Sequence, residues 1–171
     1  ALEILKLKKN LRLINSSDIS FNEVWKFNSV DNFTLVQSED KKKISKKNFT
    51  IVSKKKPTKS QLDNLMFAFN VCRYTKSNAV VLASNKSTIG IGSGQPSRLD
   101  SCEIAINKMN KFSKTSDEIV AASDAFFPFI DGVEKLIQAG ASAIIQPGGS
   151  IRDKEIIKFA NETNTVLIFS K

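Results

Sequence analysis

Apolar and polar positions recur with two different periods along this 171-residue chain, and the period changes at Pro57. Before Pro57, KNLRLIN (9–15), EVWKFN (23–28), FTLVQSE (33–39) and NFTIVSKK (48–55) carry β-branched and aromatic residues in partial alternation between polar breaks, a pattern that predicts short strands. After it, Thr58 and Gln61 have capping-box spacing. Leu62, Leu65, Met66, Phe69 and Cys72 follow at steps of three and four, one apolar stripe on a helix from about 59 to 74. Strands are then expected at Ala79–Ala83 and Thr88–Gly92, and a helix where Leu99, Cys102, Ile106 and Met109 recur. Ile119–Ala122 reads as a strand, and Val133, Leu136 and Ile137 as a short helix stopped by Gly140. Ala143–Ile145, Asp153–Asn161 and Val166–Phe169 read as strand, helix and strand. Strands alternating with helices over short links predict an α/β fold with a largely parallel sheet covered on both faces. The length suits a single domain, with 1–56 as its N-terminal strands and 57–171 as its α/β core.

Charge changes this picture little. Lysine and arginine exceed aspartate and glutamate, 26 to 17, but nine lysines and no acid lie between Lys41 and Lys59, and the remainder is balanced. Such a cluster suits either a solvated loop and edge strand, where lysine blocks unwanted pairing, or a polyanion such as nucleic acid. Aromatic residues do not interleave it as a stacking platform requires, Phe49 being the one within it, so a nucleic-acid partner is not expected. No apolar run approaches a membrane span. The chain opens at Ala1, with neither a methionine nor a basic-then-apolar leader, and so reads as a cut or processed chain, not a secreted one. Cys72 and Cys102, each in an apolar helical pattern and outside any CxxC, are expected to be buried thiols in a reducing compartment.

Histidine is absent. Catalysis by these residues alone needs a shifted carboxylate or lysine for proton transfer, or a group from elsewhere. Triad hydrolysis is excluded within the chain, and no zinc deaminase signature or Walker loop occurs. Three polar loops follow strands, where ligands collect in such sheets. TIGIGSGQPSR (88–98) offers glycines for a ligand-facing turn and Arg98 as a forked donor for a carboxylate or phosphate; an arginine in a helix's first turn opposes the dipole and points to an anion nearby. QPGGSIRD (146–153) opens a helix with Ser150 or Asp153 as its cap. SDAFFPFIDG (123–132) leaves a strand and enters a helix near Asp131, which stands where an N-cap belongs. Phe126, Phe127 and Phe129 cannot all turn inward around Pro128, so at least one is expected to line a wall on which a flat heteroaromatic ligand stacks.

KSNAVVLASN, TIGIGSGQPSRLDS, SDAFFPFIDG and IIQPGGSIRD, in this order and spacing, closely resemble the last part of the AICAR transformylase family, the C-terminal activity of bifunctional purine biosynthesis proteins that also carry an IMP cyclohydrolase. KKNLRLIN, FTLVQSED and IVSKKKPT extend the resemblance to nearly the whole chain. It implies a three-layer α/β/α fold like cytidine deaminase, with a mostly parallel mixed sheet, as the second of two tandem copies and without zinc. It further implies transfer of a formyl group from 10-formyltetrahydrofolate to the 5-amino group of AICAR in a cytoplasmic homodimer. Carried over by motif, Asn78 contacts the substrates near the formyl group, holding its oxygen or the carboxamide as a donor. Arg98 binds ligand on the folate side, Phe126 lies against AICAR, and Pro128, Phe129 and Asp131 form the folate wall. Asn78 and Asp131 are the catalytic candidates, and Thr75 and Asp124 resemble residues near a monovalent cation, potassium. The family's catalytic Lys-His pair and phosphate-binding Tyr-Gly motif lie upstream of the residues present, which accounts for the missing histidine and implies that the upstream half is a partner. Two alternatives stay open: a basic nucleic-acid-binding module, and a small-anion-binding α/β domain that uses the Gly90–Gly94 turn without catalysis.

Overall fold

The computed structural model describes residues 2–15, 17, 25–38, 44–112 and 118–170. It divides into two compact units, Ala1–Lys43 and Ile44–Lys171. In the first, helix α1 (Leu2–Lys6) precedes an antiparallel hairpin of β1 (Trp25–Val30) and β2 (Phe33–Ser38). Trp25 and Phe27 share one face with Val36, and Val30 shares the other with Phe33 and Leu35, as the direct cross-strand pairs dictate. The expected strands at 23–28 and 33–39 are thus present, except that Glu23, Val24 and Glu39 lie outside the described residues. The strand expected at 9–15 is not formed: these residues have no ladder partner, and a turn at Lys9–Asn10 gives way to irregular chain. The Lys41–Lys43 part of the lysine cluster also lies outside the described residues.

The second unit is built on a six-stranded sheet in the order β3-β8-β7-β6-β4-β5. Its strands are β3 (Phe49–Ile51), β4 (Val80–Ser84), β5 (Ser87–Gly92), β6 (Ile119–Ser123), β7 (Ala141–Pro147) and β8 (Val166–Ser170). The β6–β7 and β7–β8 pairs are parallel, each spanned by a helix as a parallel connection requires. The pairs β4–β5, β4–β6 and β3–β8 are antiparallel, so the sheet is mixed, with β5, β6, β7 and β8 running one way. The unit boundary falls before β3 and not at 56/57, because β3 takes its ladder from the last strand: Phe49, Thr50 and Ile51 sit opposite Ser170, Phe169 and Ile168.

Strand alternation sorts the core into two layers. Ala79, Val81, Ala83, Val120, Ala122, Ile145, Val166 and Ile168 face α2 (Lys59–Cys72) and meet Leu65, Ala68 and Cys72. Val80, Leu82, Ala121, Ile144 and Leu167 face away and meet α3 (Arg98–Phe112), α4 (Ile130–Gln138) and α5 (Asp153–Glu162) through Cys102, Ala105, Val133, Leu136, Ile156 and Ala160. One helix on one face and three on the other make a three-layer α/β/α arrangement. The capping box at the head of α2 is complete: Gln61 N–H donates to Thr58 Oγ1 at 3.0 Å, and Thr58 N–H to Gln61 Oε1 at 2.9 Å. Cys72 and Cys102 are both buried free thiols, and burial pushes each up to about 12. Among the described residues no helix is long and apolar enough to cross a membrane.

Candidate functional site

The chain's chemistry gathers where β6 ends, because three separate segments converge there. The turn 124–129 leaves β6 and enters α4. The loop 75–79 leads into β4, which lies beside β6 in the sheet. The loop 93–97 leads from β5 into α3. The last two are laced together: Gly94 N–H donates to Lys76 O at 2.7 Å and Asn78 N–H to Gln95 O at 3.3 Å. The Ser77–Asn78 peptide is cis.

Between these segments lies a cleft of about 470 Å³, lined by Asn78, Pro96, Ser97, Arg98, Leu99, Phe127, Pro128, Phe129 and Asp131. Five of the residues expected from sequence therefore share one cavity: Asn78, Arg98, Pro128, Phe129 and Asp131. Phe126 is 39% exposed and is not in its lining; Phe129 is 51% exposed and is. Phe127 is only 1% exposed. Its ring lies where a β-carbon on Gly132 would come within 2.7 Å of it, so the glycine in the first turn of α4 makes room for the cleft's aromatic floor. The aromatic stretch thus divides its labour: one ring seals the core while a second presents a flat apolar face.

Asp131 is not the N-cap of α4. Phe129 occupies that position without a side-chain cap, and Asp131 stands within the first turn, where its Oδ1 accepts from Gly132 N–H at 2.7 Å. The carboxylate is favoured there by the helix dipole, and its second oxygen can accept from a ligand. In QPGGSIRD neither expected cap sits at the helix's N-cap position. Arg152 does, while Asp153 Oδ2 accepts from Gly149 N–H at 2.8 Å and Ser150 Oγ from Arg152 N–H at 3.1 Å.

Asn78 departs from its expected role. Its Nδ2 donates to Gln95 O at 2.9 Å and to Pro96 O at 3.1 Å. Two carbonyls fix which end of the amide is nitrogen and use both of its N–H groups. What Asn78 can offer a ligand is the Oδ1 acceptor, suited to an amino or amide N–H and not to an oxyanion.

The glycine turn also reads differently in three dimensions. Gly90 and Gly92 belong to β5, and a β-carbon on either would stand 2.1 Å from Ala105 O or 1.9 Å from Ser101 O. The backbone that approaches them is α3, not a ligand. The anion called for by Arg98 at the head of α3 is within the chain: Arg98 Nη2 donates to Asp124 Oδ1 at 3.0 Å, and its Nε to Ser123 Oγ at 3.0 Å. These side chains are 11% and 14% exposed. Burial alone would raise the Asp124 carboxyl, but hydrogen bonds from Ser77 Oγ, Ala79 N–H and Arg98, together with the arginine's charge, hold it below the ordinary carboxylate value. Asp124 is engaged by protein donors and a guanidinium, and the Thr75 hydroxyl donates back to Val71 O at 2.9 Å. Neither residue lines the cleft. No cluster of three or more acidic or cysteine side chains suited to a metal occurs among the described residues.

Pattern reasoning missed Pro96, Ser97 and Leu99, whose only signal was adjacency to Arg98, and the part played by Phe127. It also missed Arg152, whose guanidinium lies 4.7 Å over the Phe129 ring and which nothing in a one-dimensional pattern connects to that residue. The lysine cluster brackets β3, an edge strand of the sheet. Within it Lys46 pairs with Asp63 at 2.6 Å and Lys55 Nζ donates to Asn164 O at 2.9 Å.

Comparison with known proteins places this site in context. The bifunctional purine biosynthesis protein PurH of Buchnera aphidicola subsp. Schizaphis graminum is 44% identical over 173 residues, covering all of this chain and 33% of that protein. PurH of Leptospira biflexa is 44% identical over 172 residues (99% and 33%), and that of Pelodictyon phaeoclathratiforme 42% identical over 169 residues (99% and 32%). The chain therefore spans about a third of the length of these curated relatives. Among solved structures, the apo dCMP deaminase of cyanophage S-TIM5 superposes with a TM-score of 0.44 at 15% identity, over 66% of this chain and 98% of that one. The family model described as AICARFT/IMPCHase bienzyme matches residues 1–108, and with the relatives it shows that the chain belongs to that family.

Proposed function

We propose that the chain is the C-terminal part of a folate-dependent formyltransferase of purine biosynthesis, which moves a formyl group from 10-formyltetrahydrofolate to the 5-amino group of AICAR. The observation that carries this reading is the convergence of Asn78, Arg98, Pro128, Phe129 and Asp131, drawn from three segments, on one cleft. A pterin or an aminoimidazole is flat, apolar on its faces and rich in N–H groups at its edge. Phe129 and Pro128 supply a wall for such a face, while Asp131 and Asn78 Oδ1 supply acceptors for such an edge.

In the reaction the acceptor's amine nitrogen attacks the formyl carbon, the bond from that carbon to N10 of the folate breaks, and the amine's proton passes to the departing nitrogen. The amine is a weak nucleophile because its lone pair delocalises into the ring and carboxamide, so orientation matters most. Asn78 Oδ1 orients an N–H of the acceptor, Asp131 fixes the folate ring, and Arg98 presents its remaining N–H groups to a carbonyl oxygen. The proton-transfer groups come from the upstream part of the full-length protein, because no histidine is present here and both thiols are buried and fully protonated at neutral pH. A homodimer in the cytoplasm is part of the same reading. Thr75 and Asp124 are assigned to a site for a monovalent cation, potassium, next to the loops that frame the cleft.

Formyl transfer measured on the full-length protein tests the proposal. Loss of one charged hydrogen bond costs about 1.5–3 kcal/mol, or about 10- to 100-fold in rate. Asp131→Ala is expected to lose activity in that range while remaining folded, and Asn78→Ala, which removes a neutral acceptor worth about 0.5–1.5 kcal/mol, to lose about 2- to 10-fold. Full activity in both variants would refute the site assignment.

A further inference from the structure

The loop from β7 to α5 reaches two residues of the aromatic turn from outside the cleft. Gln146, fully buried near the end of β7, accepts from Phe127 N–H through Oε1 at 3.5 Å. Further along the loop, the Arg152 guanidinium lies 4.7 Å over the Phe129 ring. Phe129 lines the cleft and Arg152 does not. We infer that Arg152 is a positioning residue for the proposed folate wall: it covers one face of the Phe129 ring and so holds the opposite face toward the flat part of the ligand. This inference rests on the formyltransferase reading and adds to it what keeps the wall in place.

The need for such a clamp follows from exposure. Phe129 is 51% exposed and stands at the N-cap of α4, so the core does not fix its ring as it fixes that of the buried Phe127. A ring ordered before the ligand arrives spares the complex the entropy of ordering it on binding. Arg152 is itself anchored. Its N–H donates to Ser150 Oγ at 3.1 Å, and Gly149 N–H donates to Asp153 Oδ2 at 2.8 Å. A β-carbon on Gly148 would lie 2.8 Å from the Phe169 ring, so the loop runs close against β8. The Arg152 Nη1 donates to Glu155 Oε2 at 3.4 Å. With Glu155 beside it and Asp131 in the cleft lining, the arginine brings no uncompensated positive charge to an anion. What distinguishes it is the ring face beneath its planar head, a contact that guanidinium makes well.

A partly exposed cation–ring contact is worth about two- to fivefold in an equilibrium. In the full-length protein, Arg152→Ala is therefore expected to raise KM for 10-formyltetrahydrofolate by about that factor, with kcat and the thermal midpoint unchanged. Arg152→Lys, which keeps a cation within reach of the ring, is expected to fall between Arg152→Ala and wild type. In a Phe129→Ala background, Arg152→Ala is expected to change KM no further, because its route to the ligand is gone. A wild-type KM in Arg152→Ala overturns the inference. So does a KM penalty that persists without the Phe129 ring, which would mean that Arg152 meets an anionic part of the ligand directly. An Arg152→Lys variant no better than Arg152→Ala overturns it as well. Should Arg152→Ala fail to fold, Arg152→Gln takes its place with the same outcomes. A wild-type protein without formyl transfer sinks the functional reading and this inference with it. An active wild type whose Arg152 variants keep the wild-type KM sinks only the inference.

Discussion

Two segments of the second unit both read as ligand-facing in sequence, and they serve opposite ends. The glycines of 88–94 look like a cradle for a ligand, and the phenylalanines of 126–129 look like a wall for one. In the folded chain Gly90 and Gly92 are consumed by the backbone of α3, whereas the aromatic turn opens onto the cleft. The difference is one of supply. A glycine gives space, and whichever element packs nearest takes it; a ring beside a proline gives surface, and what the core does not need stays outside. Residue type alone does not say which outcome a loop reaches. The neighbouring element does.

The comparison is broken most severely at Gly92. An added β-carbon would lie 1.9 Å from Ser101 O, and main chain does not yield as a side-chain tip does. Gly92→Ala is expected to cost about 3 kcal/mol or more, read as a lowered denaturant midpoint or loss of folded protein. If it unfolds at the wild-type midpoint, α3 does not own that space. The aromatic turn then sharpens the contrast within itself. Phe127→Ala removes a buried ring, at a cost of about 3–5 kcal/mol. Phe129→Ala, half exposed, is expected to cost less than about 1 kcal/mol while weakening ligand affinity. Equal destabilisation would contradict this division of labour.

The smallest effect concerns pH. The Asp124 carboxyl is held below its unfolded value, so its contribution to stability is fully present above about pH 4 and is lost as pH falls through the lower, folded value. Denaturation curves collected from pH 6 downward should therefore lose stability below about pH 4, with a shallower slope in Asp124→Asn. Identical slopes would mean that the Arg98 pair adds nothing to folding.

Much of the second unit was legible because its signals are local. The Thr58–Gln61 box and the stop at Gly140 act over a few residues, and each was found where expected, whereas the stripe on α2 is turned, with Gln61, Asn64, Leu65, Ala68 and Cys72 buried and Leu62, Met66 and Phe69 only half-buried. Residues 9–15 show the limit of such signals: alternating apolar residues imply a strand only where a partner strand exists, and none is paired with them. The position of Asp131 was off by a fraction of a turn, which turned an expected cap into a cleft acceptor. For Arg98 the sign of the missing partner was correct, but the partner lay 26 residues along the chain. Asn78 shows the same limit more sharply, since its identity was legible and its orientation was not. Only the carbonyls of Gln95 and Pro96 decide that it accepts and does not donate.

The short strand β3 carries a consequence for the order of events during folding. Its ladder partner is β8, and Ser53 just beyond it accepts from Leu167 N–H at 2.9 Å, a contact spanning 114 residues. The earliest strand of this unit therefore stays without its neighbour until the final one has been synthesised. A chain that lacks residues 166–170 leaves both β3 and β7 with an open edge.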